Sequence, residues 1–264
     1  MRSGSSSSSW VRSWEANEVR PEIGIVGYGR CGQLAAEVLE TDFQVMATDV
    51  RDLSGQAAAR GVAWGDLAAC ASRPTVLLAV PVRTLPAVLG AIAPHVRPGA
   101  TVVDMASVKV QPMRWMEELL PPGVARVGTH PLFGPESAPD RNVRGQRLVV
   151  CEAEGYAAAA RSIEVVARRL GLESIRLDPE THDREMARSQ ALVFLIARAL
   201  TSADLGGSQY GTPSERRLWS ALNMTAADTD ELYEDILKLN PFAPESTRAL
   251  AEALRAETAR LTNE

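Results

Sequence analysis

Apolar and polar positions follow two different patterns along the chain. Up to Leu177, short runs of aliphatic and β-branched residues alternate with stretches whose apolar residues recur at helical spacing. The runs predict strands at 23–26, 43–48, 75–80, 101–104, 147–150 and 174–177. This alternation predicts an α/β fold in which helices cover a doubly wound parallel sheet.

The pattern changes near Asp178 and Pro179, after which no convincing strand follows. Helices are predicted at 180–202, 216–222, 230–239 and 244–261, so this part of the chain is expected to be all-α. We therefore predict a flexible, serine-rich tail over 1–20, an α/β domain over 21–178 and a helical domain over 179–264.

The first helical stretch of the second domain carries an apolar stripe that one small helical layer cannot easily cover. The stripe consists of Met186, Leu192, Val193, Leu195 and Ile196. Helices with such a stripe often bury it against a second copy of the chain. We therefore expect a homodimer that is built by the helical domain.

The first predicted strand runs directly into a glycine-rich turn, and a helical pattern follows at once. Gly27 permits the tight turn, Gly29 has no Cβ to keep a pyrophosphate away, and Gly32 lets the helix pack close to the strand. The N–H groups at the helix start would then face the phosphates. This order predicts a Rossmann-type dinucleotide-binding domain, although such a turn can also simply join a strand to a helix. The expected cofactor contacts in the turn are Gly27, Tyr28, Gly29, Arg30, Cys31 and Gly32.

Two further strand ends extend the predicted cofactor site. Asp49 ends the second strand about twenty residues after the turn, where a carboxylate meets the ribose hydroxyls of the adenosine. The carboxylate predicts NAD rather than NADP, but Arg51 could accept a 2′-phosphate. Val80 and Pro81 end the third strand, which should lie beside the glycine turn and contribute cofactor contacts.

Composition narrows the possible functions. The net charge of −5 argues against a nucleic-acid groove, and no apolar run is long enough for a membrane span. The odd, widely spaced cysteines Cys31, Cys70 and Cys151 suggest neither a disulfide framework nor a metal site. We expect a cytoplasmic protein that holds no metal and acts on a small molecule. Cys31 could have a lowered pKa at a helix start or could simply pack there.

Two loops would project from the carboxyl edge of the sheet, and they carry the most specific motifs. One is Asp-Met-Ala-Ser-Val-Lys at 104–109, and the other is Gly-Thr-His-Pro-Leu-Phe-Gly-Pro-Glu-Ser at 128–137. Together with the glycine turn, Asp49, Thr-His-Asp at 181–183 and Ser-Gln-Ala-Leu at 189–192, they resemble the prephenate and arogenate dehydrogenases. The resemblance runs from about residue 22 to residue 236.

The resemblance implies a reaction and two catalytic residues. Members of this family oxidise a cyclohexadienol with NAD or NADP, release CO₂ and form an aromatic ring. His130 matches the histidine that takes the proton of the substrate hydroxyl, and Ser107 matches the serine that orients the imidazole beside the cofactor. His130 could instead be a hydrogen-bonded loop histidine. Ser107 could cap the following helix, a role that is compatible with the first.

The resemblance also implies groups that bind the carboxylates of the substrate. Lys109 matches the family lysine of its loop, and Arg216 falls where relatives carry a substrate-side arginine; both could instead be solvated surface charges. His182 could reach the nicotinamide or cap its helix. Gln190, two helical turns further on, could face the cleft.

One position departs from the family pattern. Relatives usually place a second arginine about two turns after Arg216, whereas this chain has Met224. Either Arg217 substitutes for it, or the substrate differs, as in the family members that act on 4-amino-4-deoxyprephenate. The chain is also expected to lack a fused mutase or regulatory domain.

Two other functions are compatible with the sequence. A β-hydroxyacid dehydrogenase also joins a Rossmann domain to a helical one, but its lysine and asparagine are poorly matched by Lys238 and Asn240. A non-catalytic cofactor sensor gains slight support from Met224, although the presence of Ser107 and His130 argues against it.

Overall fold

A computed structural model describes residues 20–138, 140–223, 225 and 228–262. The chain forms two compact units whose boundary falls between Pro179 and Glu180. Met224 and positions 1–19 of the predicted tail lie outside the described residues. Arg20, the last residue of that predicted tail, donates hydrogen bonds from Nη2 to the carbonyl oxygens of Glu40 (2.8 Å) and Phe43 (2.7 Å). The α/β unit is therefore anchored at its start by Arg20.

The first unit is built on an eight-stranded sheet whose strand order is β3-β2-β1-β4-β5-β6-β7-β8. The strands are β1 (Glu22–Val26), β2 (Gln44–Thr48), β3 (Ala63–Trp64), β4 (Thr75–Leu78), β5 (Thr101–Asp104), β6 (Ala125–Pro131), β7 (Arg147–Glu152) and β8 (Glu173–Arg176). Strand β1 lies inside the sheet, with β2 on one side and β4 on the other. The strand order therefore reverses beside β1, which is where open α/β sheets bind ligands.

The predicted α/β class is confirmed, but the sheet is not parallel throughout. Strands β1 to β6 are parallel, whereas β7 pairs antiparallel with β6, and β8 pairs parallel with β7. A parallel connection requires a long crossover, usually a helix. In the described part of the 132–146 connection, the only helical element is the 3₁₀ turn Pro135–Ser137, so the chain returns antiparallel.

Helices cover this sheet at the places where the apolar spacing predicted them. They are α1 (Arg30–Leu39), α2 (Ser54–Ala58), α3 (Leu67–Ala71), α4 (Leu85–Ile92), α5 (Val110–Leu119) and α6 (Ala157–Arg169). A 3₁₀ turn, Val82–Thr84, directly precedes α4. One core cluster includes Ile25, Phe43 and Val103.

The second unit contains only helices among its described residues. They are α7 (Pro179–Arg188), α8 (Gln190–Ser202), α9 (Pro213–Asn223), α10 (Asp230–Leu239) and α11 (Ala243–Thr262). Their buried cluster comprises Ala187, Ala191, Phe194, Ile236 and Ala243. Arg184 stacks over the ring of Phe242 at 4.0 Å, which adds a cation–π contact to this cluster.

The single long helix predicted at 180–202 is wrong, because the structure breaks it at Ser189. Ser189 leaves the helical region (φ −122°, ψ −83°), and its hydroxyl donates to the carbonyl oxygen of Glu185 at 2.7 Å. Serine side chains that bond back to the preceding turn compete with the helix ladder. As a result, Gln190 is the first residue of a new helix.

Among the described residues, the model contains no helix that combines the length and the apolar character needed to cross a membrane.

Candidate functional site

The site is organised by one row of residues that pair across five parallel strands. In the spatial order β2, β1, β4, β5 and β6, the register partners are Thr48, Val26, Leu78, Asp104 and Gly128. A few residues after each of these positions along the chain, the strand ends or reaches the carboxyl edge of the parallel sheet. The predicted site residues lie there: Asp49, the glycine turn, Val80 and Pro81, Ser107, and His130.

The glycine turn has the geometry of a phosphate cradle. Gly27 has φ +96°, and a Cβ there would collide with the carbonyl oxygen of Ala79 and lie 2.8 Å from Val80 Cγ1. A Cβ at Gly32 would collide with the carbonyl oxygen of Gly27. At Gly29, which caps α1, a Cβ would meet no atom within 4 Å. The helix start therefore faces open space, which fits a pyrophosphate.

Asp49 ties the end of β2 to this turn. Its Oδ2 accepts a hydrogen bond from the backbone N–H of Tyr28 at 2.8 Å, and its Oδ1 accepts one from the N–H of Arg51 at 3.0 Å. The Arg51 guanidinium also donates to Oδ1 at 3.2 Å. Burial by itself would raise the pKa of Asp49, but these hydrogen bonds outweigh it and lower that pKa below its ordinary value of 3.8. A negative charge is thus fixed beside the glycine turn.

Tyr28 differs from the sequence expectation of a cofactor contact. Its side chain is fully buried and packs edge-on against Trp64, with ring centroids 5.8 Å apart. Burial is the main reason why the pKa of its phenol rises above 10.0. Only the backbone of Tyr28 remains in the turn, because the side chain belongs to the core.

Arg30 and Cys31 begin α1 on the solvent side of the turn. The Arg30 guanidinium forms an ion pair with Glu136, which lies in the 3₁₀ turn that follows His130. Cys31 is exposed at this helix start.

Ser107 follows Asp104 along the chain, and His130 follows Gly128, which is the register partner of Asp104. Ser107 is half-buried in the loop between β5 and α5, whereas His130 is 3% exposed and lies inside β6. The sequence predicted His130 in a loop, and this prediction is wrong. Strand β6 continues past the end of its parallel partner β5 because the antiparallel strand β7 pairs with it as far as Pro131.

Lys109 is neither exposed nor directed at solvent. Its side chain is fully buried and forms an ion pair with Asp104, which is also fully buried. The ammonium further donates to the carbonyl oxygen of Thr129 at 2.6 Å. The structure therefore places Lys109 inside the domain, where the sequence led us to expect a cation that is presented to a substrate or to solvent.

Arg216 lines a surface cavity of about 470 Å³ in the helical unit. The cavity residues are Gly207, Ser208, Glu215, Arg216, Trp219, Ser220 and Asn223. The Arg216 guanidinium donates to the carbonyl oxygen of Gly211, while Glu215 Oε1 accepts from the N–H of Ser208 at 2.7 Å. Arg217 is exposed and is not among the lining residues. The cavity therefore combines one arginine with an indole ring.

His182 and Gln190 occupy different environments. His182 is fully buried inside α7, and its Nδ1 lies 2.8 Å from Asp183 Oδ1. It is therefore not a helix cap. Gln190 is half-buried, and its Oε1 has no hydrogen-bond donor among the described residues. A buried carbonyl oxygen in that position can accept a donor from a ligand.

Sequence reasoning missed several residues of these sites. The sequence analysis assigned no role to Asp104, Thr129 or Trp219. The available signal for Asp104 was a carboxylate at the end of a buried strand, where an unpaired charge would be costly. No comparable signal in the sequence pointed to Trp219.

The fold and the row define a nucleotide-binding α/β protein with a histidine and a serine near the cofactor cradle. Residues 37–169 match the family model described as prephenate dehydrogenase, nucleotide-binding domain. The chain belongs to the prephenate dehydrogenase family, as the sequence motifs predicted.

Individual relatives are similar over different shares of their length. A 4-amino-4-deoxyprephenate dehydrogenase from Streptomyces pristinaespiralis is 30% identical, with 77% of this chain and 72% of the relative covered. A probable arogenate/prephenate dehydrogenase from Methanocaldococcus jannaschii is 28% identical over 63% of this chain, which spans only 39% of that relative.

Solved structures share the fold. The prephenate dehydrogenase from A. aeolicus, crystallised with hydroxyphenyl propionate and NAD⁺, superposes with a TM-score of 0.76 at 20% identity, covering 93% of this chain and 92% of that chain. The Synechocystis arogenate dehydrogenase gives 0.70 at 21% identity, covering 92% of each chain.

Proposed function

We propose that the protein catalyses the NAD-dependent oxidative decarboxylation of a cyclohexadienol dicarboxylate, prephenate or arogenate, to an aromatic product. The observation that carries this proposal is the row from Thr48 to Gly128, beyond which the phosphate cradle, Asp49, Ser107 and His130 all follow. Membership of the family supports the same reaction class.

The proposed chemistry assigns proton transfer to His130. The imidazole accepts the proton of the ring hydroxyl while hydride leaves the carbon that bears this hydroxyl. The electrons of the ring–carboxylate bond then enter the ring, CO₂ departs and the ring becomes aromatic. Bound NAD supplies the hydride acceptor. We assign to Ser107 the orientation of the imidazole, and the nearly complete burial of His130 excludes bulk water from it.

The substrate carboxylate requires a cation, for which Arg216 is the first candidate. Arg216 lines the cavity with Trp219, so a carboxylate and an adjacent ring would both find a partner there. Arg217 is a second candidate that would have to turn toward the ligand. We assign Gln190 to a polar group of the substrate because its buried Oε1 can accept a hydrogen bond. For His182, complete burial and the contact with its neighbour Asp183 support a structural role inside the helical unit rather than direct substrate binding.

The cofactor is proposed to be NAD rather than NADP. The lowered pKa of Asp49 keeps a negative charge where NADP carries its 2′-phosphate. Arg51 lies beside that carboxylate with 64% of its side chain exposed, so it can partly offset the repulsion. The balance between the two determines the size of the preference.

A homodimer is proposed from the helical unit. The stripe of Met186, Leu192, Val193, Leu195 and Ile196 is only half-buried in one copy of the chain, and Val193 is 39% exposed. A second copy would remove this apolar area from water.

4-Amino-4-deoxyprephenate is the second candidate substrate. It is supported by the Streptomyces pristinaespiralis relative, which is named for that substrate and is 30% identical. Met224, where the family resemblance implies an arginine, is also consistent with a different substrate. This position lies outside the described residues.

Turnover assays test the proposal directly. The protein would be incubated with NAD and, separately, with prephenate, arogenate and 4-amino-4-deoxyprephenate, while NADH absorbance and released CO₂ are measured. We expect equal amounts of NADH and CO₂ with prephenate or arogenate. Turnover of the 4-amino compound alone would select the second candidate. No turnover with any of the three, despite NAD binding, would contradict an enzymatic function and indicate a cofactor sensor.

A further inference from the structure

The chain uses lysine sparingly, and one of its lysines is fully buried. Lys109 and Lys238 are the only lysines among 28 basic residues; all the others are arginines. Lys238 lies on the surface, where it pairs with Glu234 at 3.1 Å. Lys109 has no exposed side-chain surface. A buried ammonium is costly unless it is paired, so its position calls for an explanation.

The Lys109 ammonium joins the two segments that carry the proposed catalytic residues. It pairs with Asp104 at the end of β5, just before the Ser107 loop. It also donates to the carbonyl oxygen of Thr129, whose peptide bond continues into His130. One cation therefore binds both the loop of Ser107 and the strand of His130.

Two further hydrogen bonds close this arrangement. Asp104 Oδ1 accepts from the N–H of Ala106 at 2.8 Å, which shapes the loop directly before Ser107. The Thr129 hydroxyl donates to the carbonyl oxygen of Asp104 at 2.6 Å, so the two strands are linked in the reverse direction as well. Asp104, Lys109 and Thr129 together form what we call the buried clamp.

The absence of a side chain at Gly128 makes room for the clamp. A Cβ at Gly128 would lie 3.1 Å from Asp104 Oδ2, 3.2 Å from Lys109 Cδ and 2.7 Å from Met113 Sδ. Since side chains alternate along a strand, His130 leaves β6 on the same face as this missing side chain. The clamp therefore packs on the sheet face from which the imidazole projects.

We propose that Lys109 is a positioning residue, which fixes Ser107 and His130 relative to each other through Asp104 and Thr129. This inference rests on the proposed function, because it concerns the two residues to which that function assigns the chemistry. It replaces the expectation that Lys109 binds a substrate carboxylate. A compact ammonium suits this place, whereas the planar, five-donor guanidinium of arginine has a different shape and different hydrogen-bond directions.

The test compares variants that dismantle the clamp in different ways. Lys109→Met leaves Asp104 buried without its cation, so the double variant Asp104→Asn/Lys109→Met is made alongside it to remove both charges. Thr129→Val keeps both charges and removes only one hydroxyl. Lys238→Met is the matched control, because it removes the other lysine from an exposed pair.

Three quantities are measured: the Kd and stoichiometry of NAD binding, the KM, and the kcat per bound NAD. The substrate is whichever of prephenate and arogenate the wild-type protein turns over. We expect the double variant to keep NAD stoichiometry and to change Kd and KM by less than about threefold. We expect its kcat per bound NAD to fall about 10- to 100-fold, the effect of small misplacements of catalytic groups. Thr129→Val should fall in the same direction by a smaller factor, and Lys238→Met should match the wild type.

The opposite pattern would overturn the inference. A KM that rises tenfold or more with kcat retained would make Lys109 a substrate ligand, and an unchanged kcat and KM would make the clamp a purely structural feature. If both Lys109 variants fail to bind NAD stoichiometrically, Thr129→Val decides: a lower kcat per bound NAD supports positioning, and an unchanged value refutes it. A wild-type protein without turnover would instead refute the proposed function.

Discussion

Asp49 accepts a hydrogen bond from the backbone N–H of Tyr28 at 2.8 Å, so the carboxylate at the end of one strand holds the glycine turn at the end of its neighbour. The acidic residue thus shapes the phosphate cradle in addition to any contact with a ribose. Its charge and its structural role depend on the same two oxygen atoms.

We predict that the protein prefers NAD over NADP in kcat/KM. Two like charges about 4 Å apart repel by roughly 1 to 4 kcal/mol, depending on the local dielectric. Arg51→Ala should strengthen the preference, because it removes the cation beside Asp49. Since the pKa of Asp49 is lowered from 3.8, the carboxylate stays ionised and the preference should not change between about pH 6 and 9. Steady-state kinetics with both cofactors provide the measurement, and a clear NADP preference would refute the role of Asp49.

We predict that Tyr28→Phe leaves NAD affinity unchanged and does not destabilise the fold. The phenol oxygen is buried without a hydrogen-bond partner among the described residues, so its removal should change the free energy of unfolding by less than about 0.5 kcal/mol or raise it. Tyr28→Ala, the matched control, should cost about 3 to 5 kcal/mol because it empties a core position. Urea unfolding and NAD titration measure both effects. A tenfold weaker NAD affinity in Tyr28→Phe would mean that the hydroxyl does contact the cofactor.

We predict a homodimer that depends on the stripe in the helical unit. Light scattering of the wild-type protein at micromolar concentration should give twice the mass of one chain. Val193→Asp should shift the protein toward monomer, because an ionised carboxylate cannot be buried cheaply at an apolar interface. Leu254→Asp, on α11 at a 59% exposed position outside the stripe, serves as the control. A wild-type monomer would contradict the prediction.

We predict that Arg216 binds a substrate carboxylate. A charge-assisted hydrogen bond contributes roughly 1.5 to 3 kcal/mol, so Arg216→Ala should lower kcat/KM about 10- to 150-fold with NAD binding unchanged. Arg217→Ala tests the second candidate, and we expect a smaller loss because Arg217 does not line the cavity. If Arg216→Ala were silent and Arg217→Ala harmful, the second arginine would be the ligand.

Met224→Arg should improve turnover of prephenate or arogenate if a second cation is merely missing, and should harm a native reaction with another substrate.

The parts of the fold that follow from local pattern were predictable. Strands β1 and β4 and helix α1 were predictable because side-chain period and glycine chemistry are local properties. Their signals are the β-branched run before Gly27, the apolar run ending at Val80 and the helical spacing after Gly32. The direction of β7 was not predictable, since strands of either direction have the same period of two. The two-residue strand Ala63–Trp64 is too short to show a period at all.

The site followed the same division. Gly27 and Asp49 are recognisable because each follows a strand end, and strand ends meet at one edge. His130 is recognisable only through its motif, and its position inside β6 was not predicted. The burial of Lys109 could not be predicted from the sequence, because a lysine in a loop after a strand is usually solvated. Nothing in the sequence shows that its side chain pairs with Asp104 at the end of that strand. The Ser189 break likewise depends on a side-chain hydrogen bond that competes with a good helical pattern.

The most direct test of the account is the kcat of His130→Asn on whichever substrate the wild-type protein oxidises. Asparagine keeps a hydrogen-bonding side chain of similar size but cannot accept the proton. We predict that kcat falls about 10²- to 10⁴-fold, the usual contribution of a positioned acid–base group, while NAD affinity stays within about threefold. The pH profile of kcat/KM should also lose the ionisation that the imidazole contributes. A His130→Asn variant with the kcat of the wild type would contradict the central claim, because the proton of the substrate hydroxyl would then have to leave by another route.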